Sequence, residues 1–418
     1  PGNVGGDIKL ATFNVLNYFP TTGNEFVSSG LGSCTYYTDR AGAQITNNTC
    51  GTTSAPGPRG AANAANLQRQ QDKIVHAINA LGASIVSLEE LENSIWFNKN
   101  RDFGIQTLVT ALNADAGAGT WSFAASPAAA DLPAKAEQDV IRSGFIYKPA
   151  QVALVGPSKV LVGSAAFGNA REPLAQGFKK VGDPDSKAFA AIVNHFKSKG
   201  SGTDDGTGQG NANPDRVNQA IALKTFASSF STSLGGSGAV FLLGDFNAYS
   251  HEDPIQKLEE NGDYVELDST VTPGEDSYNF GGLDGSLDHV LANPAANAMV
   301  SGVDIWNING DESVYQEYSR FNYNVTNLYN TTPFRASDHN PEIIGINTGT
   351  VTPPAAVDVQ ILATNDFHGR IQNDATSGSA GAAVLAGAVK QLKGANPATS
   401  FVAAGDLIGA STFESFIQ

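Results

Sequence analysis

Only two cysteines and one methionine occur in this chain of 418 residues, and its 25 basic side chains are outnumbered by 41 acidic ones. Two cysteines do not make a zinc site, and no histidine lies near either. A formal charge of −16 excludes a surface coated with base to hold nucleic acid in bulk, though not a local basic site. No run of about 18 apolar residues is present, so no segment reads as a membrane span. The chain starts at Pro1 without an initiator Met or a charged-then-apolar leader, as expected if a signal peptide was removed or not included. Charged residues make up only 16% and apolar ones 41%, which rules out a disordered tail and suffices for a large core. At about 150 residues per domain, the length predicts two to three domains.

Cys34 and Cys50 sit in a loop-like stretch rich in Gly, Thr, Asn and Tyr, with no third thiol to compete. The alternative is a pair of free thiols in a reduced compartment, where exposed loop cysteines are rare. We therefore expect a disulfide, closing a loop worth roughly 3 kcal/mol in chain entropy. A disulfide in turn predicts a secreted or surface-held protein.

Residues 8–16 (IKLATFNVL) alternate and read as a strand. A Gly/Thr/Asn-rich excursion follows to about residue 64. From Asn66, the residues Leu67, Ile74, Val75, Ile78 and Leu81 share one helical face, and Gly82 is placed as a C-cap. Further strands are expected at 84–91, 141–147, 188–194, 239–243, 286–291 and 342–346, and helices at about 104–116 and 217–232. The segment 200–215 is too polar and Gly-rich to pack and reads as a surface loop. Strands and helices alternate only partly, which predicts a layered α/β fold with mixed sheets. A Pro/Thr linker at 348–357 separates residues 1–347 from a second module, 358–418, with its own strand, helix (379–393) and strand (400–404).

Polar clusters stand at the ends of the apolar strands: Asn14 after ATF, Glu90 in SLEELEN, His195 after AIVN, Asp245 and Asn247 in LLGDFNA, and Asp338-His339 in SDHNP. Singly, each reads as a turn former, a cap or a solvated group. Asp288, in SLDHVL, lies inside a buried-looking strand and needs a partner, for which a histidine is the natural choice. Their convergence on one kind of position is what a turn-former explanation leaves out. In the second module, Asp366 and His368 (NDFHG) and Asp406 (AAGD) offer O and N ligands from adjacent strand ends, as a two-metal phosphoesterase requires.

In these motifs the chain resembles the endonuclease/exonuclease/phosphatase superfamily, which includes pancreatic-type deoxyribonucleases. TFNVLNYF, IVSLEELEN, NHFKSKG, LLGDFNA, SLDHVLAN and SDHNPEI occur in the family's order across nearly all of 7–347. GPRGAANAANLQRQQDKIV and the Cys-containing loop resemble its bacterial extracellular endonucleases. The resemblance implies a DNase I-like two-sheet sandwich flanked by helices, with the active site at one end. It implies Glu90 as the principal metal carboxylate, with Asn14 and Asp338 nearby, for Mg²⁺ or alternatively Mn²⁺ or Ca²⁺. Register selects Glu90 over Glu89, and places Glu92 in a more exposed position. Asp245 would activate the attacking water, Asn247 and His195 would hold phosphate oxygens, and Asp288 would orient and charge His339. Arg171 resembles the family's phosphate-contacting arginine. The second module resembles the start of a calcineurin-like metallophosphoesterase domain of secreted 5′-nucleotidases, with Asp366, His368 and Asp406 as three ligands of a two-metal site that is incomplete in this chain.

The expectation is a secreted, metal-dependent nuclease acting on nucleic acid, DNA before RNA, as a monomer without a membrane span. The full-length protein would add a 5′-nucleotidase half. A phosphomonoesterase or a sphingomyelinase-like phospholipase of the same fold would share these motifs; apolar membrane-touching hairpins would favour the lipid substrate, and the sequence shows no clear aromatic-tipped loop. A non-catalytic surface binding protein would carry degenerate site residues, and none is degenerate. Arg142, Lys148, Arg171, Lys197, Lys199 and Arg216 are expected to form a local positive funnel within the acidic surface.

Overall fold

Period-two alternation along the strands sorts apolar side chains onto two faces and so dictates layers. The computed structural model describes residues 1–268, 275–349, 359–376 and 378–407. The chain divides into two units, Pro1–Val351 and Thr352–Gln418. Most of the expected 348–357 linker lies outside the described residues.

In the first unit, β1 (Ile8–Tyr18), the hairpin of β2 (Ser33–Thr38) and β3 (Gln44–Gly51), β4 (Ile85–Glu92), β5 (Ser122–Phe123) and β6 (Ile141–Tyr147) come first. Then follow β7 (Val152–Val160), β8 (Arg171–Lys180), β9 (Phe189–His195), β10 (Val240–Asp245) and β11 (Val265–Glu266). The last are β12 (Tyr278–Phe280), β13 (Leu283–Gly285), β14 (Asp288–Ala292), β15 (Val300–Ile305) and β16 (Glu342–Ile346). The helices are α1 (Gly23–Ser28), α2 (Ala64–Leu81), α3 (Phe103–Ala116), α4 (Asn213–Leu234), α5 (Asp253–Glu259) and α6 (Pro294–Asn297).

Among the described residues two six-stranded sheets form, in the orders β15-β16-β1-β4-β6-β5 and β11-β14-β10-β9-β8-β7. Both are mixed: β1 and β4 run parallel, as do β9 and β10, and the other pairs are antiparallel. Ile8, Leu10, Ile85 and Phe145 of the first sheet meet Phe178, Phe189, Phe241 and Val290 of the second in the central core. The opposite face of the first sheet (Phe13, Val86, Leu88) is covered by Ile74, Ile78 and Leu81 of α2 and Leu108 and Leu112 of α3. Leu223 and Phe230 of α4 and Ile255 and Leu258 of α5 cover Ile192, Val240 and Leu242. The result is a helix–sheet–sheet–helix sandwich, the layered α/β architecture expected. Gly82 ends α2 at φ 73°, the left-handed C-cap that favours glycine. No helix among the described residues is long and apolar enough to cross a membrane.

The excursion after β1 is not a loop. It contains β2 and β3, which pair Cys34 directly with Cys50, and the two are disulfide-bonded. Intact-mass analysis is expected to find no alkylatable thiol before reduction, and reduction should cost up to about 3 kcal/mol of stability; two reactive thiols in the unreduced protein would contradict the pairing.

The second unit holds β17 (Gln360–Asn365), α7 (Gly381–Ala395) and β18 (Thr399–Ala404), with the two strands parallel.

Candidate active site

The face of each strand that points between the sheets is apolar along most of its length and turns polar at one end of the sandwich. Leu10 gives way to Thr12 and Asn14 on β1, and Ile85 to Ser87 and Glu89 on β4. Val193 gives way to His195, Leu243 to Asp245, Val290 to Asp288 and Ile344 to Glu342. Six strands thus deliver buried polar groups to one end of an apolar interior, where an unpaired polar atom is costly. Hydrogen bonding among them is the consequence.

Register brings the central groups together. Asp245 pairs with His195 on one side and Asp288 on the other, and Arg171 lies across from His195. Asp245 Oδ1 accepts the Asn247 amide at 2.8 Å, and its Oδ2 accepts Asn14 Nδ2 at 3.3 Å and faces His195 Nε2 at 3.3 Å. Burial, reinforced by the Asp288 charge, raises the Asp245 carboxyl to about 7. Asn247, at φ 48°, donates its Nδ2 to the Phe196 carbonyl, as does Arg171 Nη2 at 3.0 Å. Burial, with Arg171, His339 and Arg59 nearby, holds His195 well below the usual imidazole range, so it is neutral at physiological pH.

His339 Nδ1 lies 2.5 Å from Asp288 Oδ2, a charge-assisted contact between two nearly inaccessible side chains. Burial alone would lower the imidazole; the carboxylates of Asp288 and Asp338 outweigh it and push His339 well above its ordinary value. Asp245, Asp288 and His339 present ligand-type atoms within 4.8 Å of one another. The His339–Asp288 hydrogen bond ties two of the three directly together.

The three glutamates of β4 separate cleanly. Glu89 is fully buried between the sheets, accepting from Thr12 and Ser87, with its pKa raised well above the carboxylate range by desolvation and by Asp288. Glu90 lies at a register shift between Leu88 and Leu91, with φ 62°. That conformation, strained for a residue with a Cβ, turns its side chain out of the core and toward the cleft. Its Oε2 accepts the Asn17 amide at 2.9 Å. Burial and the negative charge of Asp338 raise its pKa. Glu92, expected to be exposed, is fully buried, because Thr21 and Ser94 satisfy both its oxygens.

Glu90 and the partly exposed Asp338 therefore form a like-charge pair at the mouth of the site. Asn14 stands behind them, its amide oriented by Asp245 and Leu16. Oxygen donors that repel one another fit a hard divalent cation such as Mg²⁺, so the donor set is compatible with the metal the motifs imply.

Sequence reasoning missed several supports. Ser277 donates to Asp288 Oδ2 at 2.8 Å and accepts the amides of Leu287 and Asp288. Ser337 donates to the Asn14 carbonyl at 2.6 Å, and Asn309 holds the His339 carbonyl. Lys73, fully buried on α2, donates to the Phe334 carbonyl at 2.6 Å, anchoring the chain before Ser337. Arg59, exposed, acts electrostatically on Glu90, Arg171 and His195; its only signal was its place in GPRGAANAAN. The Tyr278 ring lies 4.6 Å from that of His339.

The positive funnel does not form. Arg142 is buried against Asp102 at 2.9 Å, Arg216 is buried among backbone carbonyls, and Lys199 is paired with Glu252. Lys148 follows β6 at the far end of the sandwich, over the Trp121 ring. Of the others, Arg171 lies across the ladder from His195 and Lys197 bonds Ser201; Arg216 meets Asp245 through its charge without a hydrogen bond to it.

In the second unit Asp366, His368 and Asp406 follow adjacent strand ends, with the Asp406 amide on Asp366 Oδ1 at 3.0 Å and the His368 amide on the Asp406 carbonyl at 2.9 Å. Their side-chain ligand atoms do not gather within 4.8 Å of one another as those of the first unit do.

Residues 11–339 match the Endonuclease/Exonuclease/phosphatase family. No curated protein matches the chain. Among solved structures, an endonuclease/exonuclease/phosphatase family protein from Bacteroides thetaiotaomicron is 12% identical, with 81% of this chain and 93% of that one covered and a TM-score of 0.46. A mannosyl-6-phosphatase from the same species is 12% identical, with 81% and 99% covered and a TM-score of 0.47. The human Nocturnin catalytic domain is 13% identical, with 82% and 95% covered and a TM-score of 0.44.

Proposed function

The chain belongs to the Endonuclease/Exonuclease/phosphatase family, and from that membership we propose that it is a secreted, divalent-metal-dependent nuclease that hydrolyses the phosphodiester bonds of DNA. The observation that carries the reading is the division of labour at the strand ends. A carboxylate tuned to about 7 (Asp245) sits beside an imidazole held cationic by Asp288, and both lie behind the carboxylate pair of Glu90 and Asp338.

A phosphodiester is anionic and repels a nucleophile, so its hydrolysis needs positive donors on its oxygens and a base behind the water. Asp245 takes the proton of the attacking water; Asn14, Asn247 and the ladder position opposite His195 fix its orientation. His339 in its charged form donates to the phosphoryl oxygens, with neutral His195 and Arg171 as further donors. Glu90 and Asp338, with Asn14, would hold a Mg²⁺ ion, which when bound neutralises developing charge on the phosphorane. The Tyr278 ring beside His339 supplies a face on which an unstacked base can lie. The disulfide supports an oxidising, extracellular setting. Asp366, His368 and Asp406, on neighbouring strand ends, are proposed as ligands contributed to a 5′-nucleotidase half.

Glu90→Gln is expected to weaken Mg²⁺ binding at least tenfold by calorimetry and to reproduce, at ordinary Mg²⁺, the loss of plasmid cleavage that a chelator causes in the wild type. Unaltered Mg²⁺ affinity together with chelator-resistant cleavage would overturn the assignment.

One observation favours a second reading. The β12–β13 hairpin beside the site carries Phe280 and Leu283 at 69% and 77% exposure, an apolar tip of the kind that touches lipid. A phospholipase activity on a membrane-held diester is the alternative it supports.

A further inference from the structure

A second cluster of buried ionisable groups takes no part in the reaction above. His289 follows Asp288 on β14, and alternation turns its ring to the opposite face of the sheet, against Phe246. Its Nε2 lies 2.8 Å from the Ala248 carbonyl, which accepts only, so Nε2 carries the hydrogen. Nδ1 then points at two carboxylates, Glu266 Oε1 at 2.6 Å and Asp268 Oδ2 at 3.4 Å. The ligand atoms of all three lie within 4.8 Å of one another, and all three side chains are buried. Glu342, fully inaccessible on β16, lies outside this group but feels it: after burial, the charges that act on it are those of Asp268, His289 and Glu266. Neither of its oxygens has a hydrogen bond of normal geometry, and the Val290 amide offsets its burial only weakly.

One imidazole thus faces two carboxylates, Glu266 and Asp268. Even fully protonated, it leaves net negative charge in an interior that tolerates none cheaply. A divalent ion on Nδ1, in place of the proton, reduces that charge. The fixed Nε2–H to a backbone carbonyl is the outer support that metal-bound histidines ordinarily have.

We propose that Glu266, Asp268 and His289 form a second metal site, structural in role, that takes a first-row divalent ion such as Zn²⁺ or Mn²⁺. A nitrogen donor among carboxylates selects such ions over Mg²⁺ and Ca²⁺. All three ligands are buried, which keeps substrate from the ion and suits a structural role. The placement gives it a purpose. Glu266 and His289 lie on the adjacent strands β11 and β14, so the ion ties the edge strand to the strand that carries Asp288.

The test uses the full chain, purified without chelator, as wild type and as Glu90→Gln to disable the catalytic metal position. After brief dialysis against EDTA, elemental analysis is expected to find about one equivalent of Zn²⁺ or Mn²⁺ per chain in both. In His289→Gln and Glu266→Gln it should fall to below about one-tenth. Refolding Glu90→Gln in chelator and then adding ZnCl₂ or MnCl₂ should raise the melting temperature by about 5 °C or more, with MgCl₂ and CaCl₂ without that effect. Should the cluster variants not fold, the wild-type and Glu90→Gln measurements decide. Absence of bound metal with an unmoved melting temperature, or metal retained equally by folded His289→Gln and Glu266→Gln, overturns the proposal. Because the readout is metal content and stability, its outcome is independent of the nuclease reading.

Discussion

Asp245→Asn is expected to lower turnover on plasmid DNA by about 10³-fold while making the protein more stable. The loss follows from removing the base: general-base contributions lie at about 10²–10⁴-fold, and an amide cannot accept the proton of the attacking water. The gain follows from the same burial that tunes the group. The folded-state pKa stands at about 7, raised from 3.8 by desolvation and by Asp288. Ionised Asp245 therefore opposes folding, increasingly as pH rises from about 4 through 7. The Asn protein lacks this term, so without divalent ions its melting temperature should exceed that of wild type at pH 8. The advantage should vanish near pH 4. The fold is kept, but an Asn at 245 has one acceptor oxygen where Asp245 accepts the Asn247 amide on one oxygen and Asn14 on the other, so the loss of one hydrogen bond offsets part of the gain. Rapid-quench cleavage and melting curves at both pH values check the pair of effects. Cleavage near the wild-type rate would remove Asp245 from the mechanism.

Asp288→Asn is the second large effect, expected at about 10²–10³-fold on turnover with a displaced pH profile. The proposed mechanism needs Asp245 deprotonated and His339 protonated, so the rate should rise through about pH 7 and fall only where His339 loses its proton. That histidine is held well above 6.5 although burial lowers it, because Asp288 and then Asp338 supply the larger opposing effects. With Asn at 288 the first of these is gone and desolvation dominates. The imidazolium is then lost at lower pH, and the descending limb should move down by at least one pH unit, while the ascending limb also moves down because Asp288 no longer raises Asp245. Ser277, which holds Asp288 from the other side, should give a milder form of the same displacement when changed to Ala. An unmoved alkaline limb in Asp288→Asn would show that the two residues are not coupled in catalysis.

Much of this arrangement was legible because the strands that carry it are short, apolar and bounded by polar groups. The strands at 141–147 and 342–346 fall at the bounds expected, and α2 ends at Gly82 for the reason expected, a left-handed cap. The hairpin β2–β3 escaped notice because its faces are largely polar and exposed, and its pairing rests on a neighbouring strand and a cross-strand disulfide rather than on a periodic apolar face. The strand β7 escaped because Gly156 and Pro157 interrupt it at a bulge between Val155 and Lys159. Within the site, register singles out Glu90 over Glu89 but misplaces Glu92 in the open. The choice among the three glutamates depends on the left-handed turn at Glu90 and on Thr21 and Ser94, distant in sequence or off the motif, which bury Glu92. The funnel failed for a related reason: a basic residue near a motif is as readily consumed by a buried carboxylate, as Arg142 is by Asp102.

The central claim is that the convergent strand ends hydrolyse the diester linkage of nucleic acid. The most direct test measures kcat/KM of the full chain in Mg²⁺ on supercoiled plasmid, on p-nitrophenyl phosphate and on sphingomyelin vesicles, with Asp245→Asn as the control for each. Cleavage of plasmid at least 10²-fold more efficient than turnover of the other two, and lost in Asp245→Asn, is the predicted result. Faster turnover of the monoester or of the vesicle lipid, dependent on the same Asp245, would contradict it.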